Sequence, residues 1–370
     1  MTVEHMVGTA VMLLFLTDIF LTVLYARAGT GLLAPYWNRA VWGSLRAAAD
    51  LFGRHRGAVL SLAGPMIVVL LIGFWALGLT VGAAFVIRPE LGTAIRPSNG
   101  STPSDFVTAL LVAGNSLSIV GGGSESPQTT STRILFLFNS LVGASVLSLV
   151  LSYLVQVYSA LRDRNALALT IDLMTDRTGD AAEMLARLMP DGDCGNATSE
   201  LGNIARALVA TKEAHHLYPL LFYSRFQDST YAVSRFSFVL LDAVALIETA
   251  LDGQGNASLA RSAAVTSLRH GAVLLLELLN RNLQTTPTRG DAGEILRDRR
   301  CFATAIDTLA RAGIATRPDG IDKYVAECRR WEPLIHRVAP TLGYAMDEID
   351  RRRPRLEPAD GSVPRPGSSR

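Results

Sequence analysis

An all-α membrane protein is the fold class this sequence predicts. Apolar runs of membrane length crowd residues 1–160, charge returns in the remainder, and that remainder shows helical segments with no convincing strand alternation. A helix needs about 20 apolar residues to cross the hydrocarbon core. Residues 6–26, 58–87 and 134–158 meet that requirement. Net charge is +2 and Lys212 and Lys323 are the only lysines, so nothing in the overall balance calls for a nucleic acid partner. Cys194, Cys301 and Cys328 are too few and too scattered for a disulfide framework or a CxxC metal site, and free thiols are expected.

The first run is read as a span rather than a secretory leader. It lacks a basic start, carrying Glu4 and His5 instead, and it encloses Asp18. A carboxylate at mid-membrane costs about 2.5–3.5 kcal/mol on insertion scales, so Asp18 is expected to face another helix and accept hydrogen bonds there. Arginine placement sets the orientation. Arg27, Arg39, Arg46, Arg54 and Arg56 follow the first run, and Arg162 and Arg164 follow the third. Both segments are therefore expected in the cytoplasm, with the N-terminus and residues 88–132 outside and the C-terminal half inside. Trp37, Val41, Leu45 and Phe52 recur at near-helical spacing in the first cytoplasmic segment. That stripe fits a helix lying in the membrane interface and fits equally a helix packed on protein.

Between the second and third runs, Ser104-Asp105 signals a helix start. The apolar stretch at residues 106–117 then makes about three turns, too few to cross. It leads into Ser118-Ile119-Val120-Gly121-Gly122-Gly123-Ser124, with Glu125 and Pro127 just beyond. Irregular backbone survives at membrane depth only where protein buries it or it lines a watery path. A half-crossing helix would also aim the negative end of its dipole at the membrane middle, where a cation is favoured.

This order of outer helix, short helix, glycine loop and inner helix resembles the pore module of the tetrameric potassium channel family. The family filter reads Thr-Val-Gly-Tyr-Gly-Asp with a proline three residues later. Here Ile119-Val120-Gly121-Gly122-Gly123-Ser124 matches it, and Pro127 falls at the same offset. Gly143 lies about twenty residues beyond, where family members commonly carry a hinge glycine. The resemblance covers residues 58–160. It implies a re-entrant pore helix and filter loop, with carbonyls of Ile119, Val120, Gly121, Gly122 and Gly123 lining an ion path. It also implies Asn115, Ser116 and Ser118 as filter supports, Ser124 and Glu125 at the outer mouth, and Gly143 as gating hinge. The permeant ion would be a monovalent cation, potassium by analogy, with no cofactor and no resident metal. Four copies are needed, because one loop supplies a quarter of an axial ring.

The chain departs from the family at three places. Ile119 lacks the threonine hydroxyl, Gly122 lacks the bracing tyrosine ring, and Ser124 replaces the outer aspartate. Weaker discrimination between potassium and sodium is expected from so lightly braced a loop. The plainer readings are a tight helix-packing turn at residues 121–123 and close helix packing at Gly143. For Asn139, one turn before Gly143, a cavity-lining role and an interhelical hydrogen bond are both open.

The inner helix is expected to run on past Arg164 toward Leu173. Helices broken near residues 190–195, 219, 253–255, 287–290 and 318–320 follow. Residues 236–251 read as a buried core helix, since Asp242 and Glu248 interrupt the apolar run. The His215-His216 pair is read as a cap or surface feature in preference to a metal site. Arg351-Arg352-Arg353-Pro354 opens a tail expected to be disordered. No catalytic constellation or phosphate loop stands out, so an enzyme is not expected. The chain divides into residues 1–57 (first span and amphipathic loop), 58–160 (pore module), 161–353 (helical cytoplasmic domain) and 354–370 (tail). The favoured function is a homotetrameric cation channel in the cell membrane, its cytoplasmic ligand or partner undefined. The alternative is a non-conducting membrane-anchored sensor or scaffold that keeps a channel-like transmembrane part.

Overall fold

The computed structural model describes residues 2–25, 31–97, 102–118, 123–283 and 292–352, and it is all-α apart from one minimal ladder. The expectations placed on Arg27, on residues 119–122, on the break at 287–290 and on the tail from 353 onward lie outside the described residues. The helices are α1 (Val3–Ile19), α2 (Ala34–Leu51), α3 (Arg56–Ser61), α4 (Ala63–Ile87), α5 (Phe106–Leu117), α6 (Thr130–Met174), α7 (Ala181–Leu188) and α8 (Ala197–Leu217). They continue with α9 (Val233–Thr249), α10 (Gly253–Ala260), α11 (Ala263–Leu283), α12 (Ala292–Arg311), α13 (Ile321–Thr341) and α14 (Met346–Ile349). Strands β1 (Ile95–Arg96) and β2 (Ser126–Pro127) pair antiparallel, Ile95 with Pro127 and Arg96 with Ser126. Two compact units result: Met1–Asp163 with Thr211–Gln227, and Arg164–Ala210 with Asp228–Arg370.

In the first unit, α1 and α4 run antiparallel. Gly78 and Gly82, one turn apart on α4, let α1 approach closely. A Cβ on Gly78 would stand 2.2 Å from the Phe15 ring, and one on Gly82 would stand 2.7 Å from Met12 Cγ. Small residues four apart are the usual means of bringing helices together in lipid, where apolar burial alone supplies no drive. At one end of the pair, Arg88 Nη1 donates to Glu4 Oε1 at 3.0 Å. Near the other end lies Asp18, fully buried. Its carboxylate accepts from Trp75 Nε1 of α4 at 2.8 Å and from the backbone N–H of Leu33 and Ala34 at 2.7 and 3.2 Å. Asp18 thus caps the N-terminus of α2 from another helix, where α2 has no side-chain cap of its own.

Helix α5 seats residues Ala109, Val112, Ala113 and Ser116 inward, an i, i+3, i+4, i+7 face. Ala109, Val112 and Ala113 meet Ala83, Ala84 and Ile87 of α4, with Met12 of α1 and Leu91 and Ile95 of the segment after α4 completing the cluster. Its start is as the sequence signals: Asp105 accepts from Thr108 N at 2.7 Å. Helix α6 has 45 residues and is about 67 Å long, against a hydrocarbon core of about 30 Å. Ile134, Leu137, Leu141, Leu151 and Val155 along it are exposed. In α2 the buried residues are Ala34, Asn38, Trp42 and Ala49, one step round from the stripe centred on Trp37, and Trp42 packs on Tyr223 at 5.7 Å.

The second unit is built round α9, whose residues are buried except for Glu248. Helices α7, α11 and α13 pack against it. Among the described residues, four helical stretches are long and apolar enough to cross a membrane: Val3–Leu24, Ala63–Glu90, Thr130–Met174 and Asn256–Leu283. The fourth was not among the three expected. Its mean hydropathy is 1.3 against 2.2 to 2.3 for the others. It carries Arg269 and Glu277, and its Leu268, Ala272, Leu275 and Leu279 face is buried within the unit, as in an amphipathic core helix.

Replacing Asp18 by Ala should lower stability by several kcal/mol, at about 1–3 kcal/mol for each buried donor left without an acceptor. Thermal unfolding in detergent checks this, and Asp18→Asn, which keeps one acceptor oxygen, should lose less.

Candidate functional site

The residues expected around a filter converge on one cleft. Asn115, Ser116, Ser118, Gly123 and Glu125 line a cavity of about 380 Å³, with Ser140 of α6 among the other lining residues. Helix α5 delivers the first two from its last turn, and Ser118 is the residue that ends it. Gly123 adopts φ +137°, a backbone conformation that favours glycine. Asn115 packs on it: its Nδ2 would lie 2.9 Å from a Cβ at Gly123. Ser124 is exposed and Glu125 half-buried. The β1–β2 ladder pins the segment just after them, through Pro127 and Ser126. Gln128 N adds a bond to Ala94 O at 2.9 Å.

Ser116 turns toward α6. Its Oγ donates to Ala113 O at 2.8 Å and accepts from Asn139 Nδ2 at 3.0 Å. Of the two openings left for Asn139, the interhelical hydrogen bond is the one found. Asn139 is fully buried and its Oδ1 has no hydrogen-bond partner among the described residues. Gly143 meets the end of α5. A Cβ there would stand 1.9 Å from the Leu117 carbonyl oxygen. This backbone-to-backbone approach accounts for a glycine at 143 without any bending of α6.

A second polar constellation lies in the second unit, and the sequence reading missed it. Arg352, expected in the disordered tail, is buried instead. Its Nη2 donates to Asp298 Oδ1 at 3.0 Å, Glu332 Oε1 at 2.9 Å and Asp350 Oδ2 at 3.0 Å, while Nη1 donates to Tyr324 OH at 2.9 Å. The guanidinium also stands 4.7 Å over the Phe238 ring. Tyr324 in turn donates to Asp242 of α9 at 2.5 Å. Four buried carboxylates thus surround one arginine, with Arg297 adding an ion pair to Asp350 at 3.1 Å. Burial pushes the Asp242 carboxyl up to about 7 and the Glu332 carboxyl up to about 8, in each case against the pull of Arg352. Burial raises Asp298 as well.

Asp298, Cys328 and Glu332 bring ligand atoms within 4.8 Å of one another, close enough to hold a metal. Their chemistry speaks for the guanidinium instead. Arg352 Nη2 already bonds both carboxylates, and burial holds the Cys328 thiol well above its usual range, so it is a poor thiolate ligand. His215 is also buried rather than on the surface. Its Nδ1 lies 2.8 Å from Thr211 O and its ring 5.9 Å from Phe222. What would have flagged Arg352 is faint: an arginine three residues after the short helix Met346–Ile349, with Arg351 and Arg353 on either side, looks like any tail.

Gly143→Ala gives a sign test. In a free hinge alanine should stabilise α6 by up to about 1 kcal/mol. Against the Leu117 carbonyl it should destabilise by about 1–3 kcal/mol, as overpacking does, and we expect a lower unfolding midpoint in detergent. For the Arg352 cluster, Asp242 and Glu332 hold protons in the folded unit over a window where the unfolded chain, with carboxyl values near about 4, releases them. Their contribution is complete below that lower value and is lost as pH rises through about 7 and about 8. The midpoint of the second unit, followed by calorimetry, should therefore fall as pH rises through this window, and Glu332→Gln should flatten the fall. Searches against protein-family models, curated proteins and solved structures found no match for this chain.

Proposed function

We propose that the chain is a subunit of a homotetrameric membrane channel for monovalent cations. The observation that carries this reading is α5: twelve apolar-rich residues, about 18 Å long, seated between α4 and α6 and followed at once by the glycine loop. A helix of that length cannot cross the bilayer, and a chain that enters halfway must satisfy its backbone inside protein or along water. The cleft of Asn115, Ser118, Gly123 and Glu125 beside its C-terminal end supports the same reading. Carbonyls of Ile119, Val120, Gly121, Gly122 and Gly123 form the conduction path, and Glu125 concentrates cations at its outer end. Orientation follows the arginines: N-terminus outside, second unit in the cytoplasm, three spans in the cell membrane.

Selectivity follows from the loop. Without the threonine hydroxyl at 119 and the ring at 122, the loop lacks two of the family's braces, and potassium is favoured over sodium less sharply than in the family. Planar-bilayer recording of purified protein tests this. Cation currents with modest potassium preference are expected, and Gly121→Asp should abolish them. Silent bilayers together with a monomer or dimer in detergent would replace this reading with that of a non-conducting anchor for the helical second unit.

A further inference from the structure

Three helices of the second unit leave a cavity of about 520 Å³ between them. Leu241, Val244 and Ala245 of α9 form its floor, Val273 and Leu274 of α11 one wall, and Trp331 of α13 the other. The floor residues are buried, so apolar surface continues from the core of the unit into the cavity. Trp331 is buried too, its ring set by an edge contact with Phe238, centroids 5.2 Å apart. Small-molecule sites are commonly of this size and kind, mostly apolar with a few polar groups that fix orientation.

The polar groups here are Arg269, His270 and Glu277 of α11, with Glu327 and Arg330 of α13. Most of their charge is answered. Arg269 is paired with Glu248, and Arg330 Nη1 stands 2.6 Å from Glu327 Oε1. Glu277 differs. Its side chain has no ion pair and no hydrogen bond among the described residues, although Arg281 follows one turn later. Residues 269, 273 and 277 recur every four along α11, which sets Arg269 about 12 Å from Glu277 along the axis. That exceeds the screening length of about 8 Å at physiological salt. With His270 neutral, the lining carries one unanswered charge, and it is negative.

We infer that this cavity binds a monovalent organic cation with an apolar body, an alkyl or aryl ammonium, its charge at Glu277 and its hydrocarbon on Val244, Val273 and Trp331. Charge complementarity selects the sign, and an indole is the ring that attracts cations most strongly. An anion would have to compete with Glu248 and Glu327 for arginines they already hold. A purely apolar ligand would strip water from the Glu277 carboxylate and offer it no partner. The inference concerns the second unit alone and does not rest on conduction.

The test uses the full chain in a non-ionic detergent and three probes of one shape: 4-tert-butylbenzylammonium, the neutral 4-tert-butylbenzyl alcohol and the anion 4-tert-butylbenzoate. Titration calorimetry reads the affinity of each, with detergent alone as the blank. The wild type should bind the ammonium at least about tenfold more tightly than the alcohol or the benzoate. Glu277→Gln should bring the ammonium down to the level of the alcohol. Val273→Trp fills the cavity and leaves Glu277 in place, and it should weaken the ammonium by about tenfold with unchanged helicity by circular dichroism. Equal affinity for ammonium and benzoate, or tighter benzoate, overturns the inference, as does an ammonium affinity that either variant leaves unchanged. Absence of saturable ammonium binding at millimolar concentration overturns it as well.

Discussion

The fully buried Asp18 carboxylate accepts three hydrogen bonds, and the geometry of the first unit depends on it. One oxygen holds the first N–H groups of α2, and the other holds the indole of Trp75 on α4. An isolated charge there would be costly, but a carboxylate that completes a helix start and an indole satisfies three donors that each need a partner. The position of α2, and hence of Trp42 against Tyr223, follows from that anchor. The Gly78–Gly82 face explains why α1 comes near enough to α4 for Asp18 to reach Trp75. Polar specificity and close packing therefore act at the same crossing.

Much of the membrane part was legible because its signals are local. Span lengths, the Asp105 cap and the brevity of α5 are each properties of a contiguous stretch. The expected partner for Asp18 followed from cost alone, although only the fold names Trp75. What escaped the sequence are associations across long separations. Thr211–Gln227 belongs with the first unit, yet it lies after some fifty residues of the second, and its composition resembles any helix end with a proline. His215 lies in that same stretch and is buried, with the Thr211 carbonyl four residues before it and the Phe222 ring seven after. Arg352 was missed because three consecutive arginines before a proline read as solvated charge.

Gly143 shows how one residue type answers to two physical roles. Glycine weakens a helix, which suits a hinge, and it also removes the Cβ, which suits close contact. The contact is present here, with the Leu117 carbonyl directly opposite. Carbonyls at a helix C-terminus lack intrahelical partners. The approach of a Cα–H to such an oxygen offers it a weak donor, worth about 0.5–1 kcal/mol. With Asn139 bonded to Ser116 one turn earlier, α5 is fixed to α6 at two successive points. Any bending of α6 at 143 has to carry the end of α5, and therefore Ser118.

The choice of arginine for the acidic centre of the second unit follows from geometry. A lysine ammonium has three donors on a point charge, whereas a guanidinium spreads five over a rigid plane. Arg352 uses that plane to reach Asp298, Glu332, Asp350 and Tyr324 from four directions while its face lies over Phe238. The carboxylates come from α12, α13 and the chain after α14, so the contact closes a loop between helices far apart in sequence. Charge does not balance if every acid is ionised, since among the described residues the ion pairs of Asp242, Asp298, Glu332 and Asp350 run to Arg352 and the half-exposed Arg297. Burial resolves the excess by keeping protons on part of the set, which is why Asp242 and Glu332 titrate near neutrality. Removing Arg352 alone would leave several buried acids without a counter-ion, a larger loss than the sum of its hydrogen bonds.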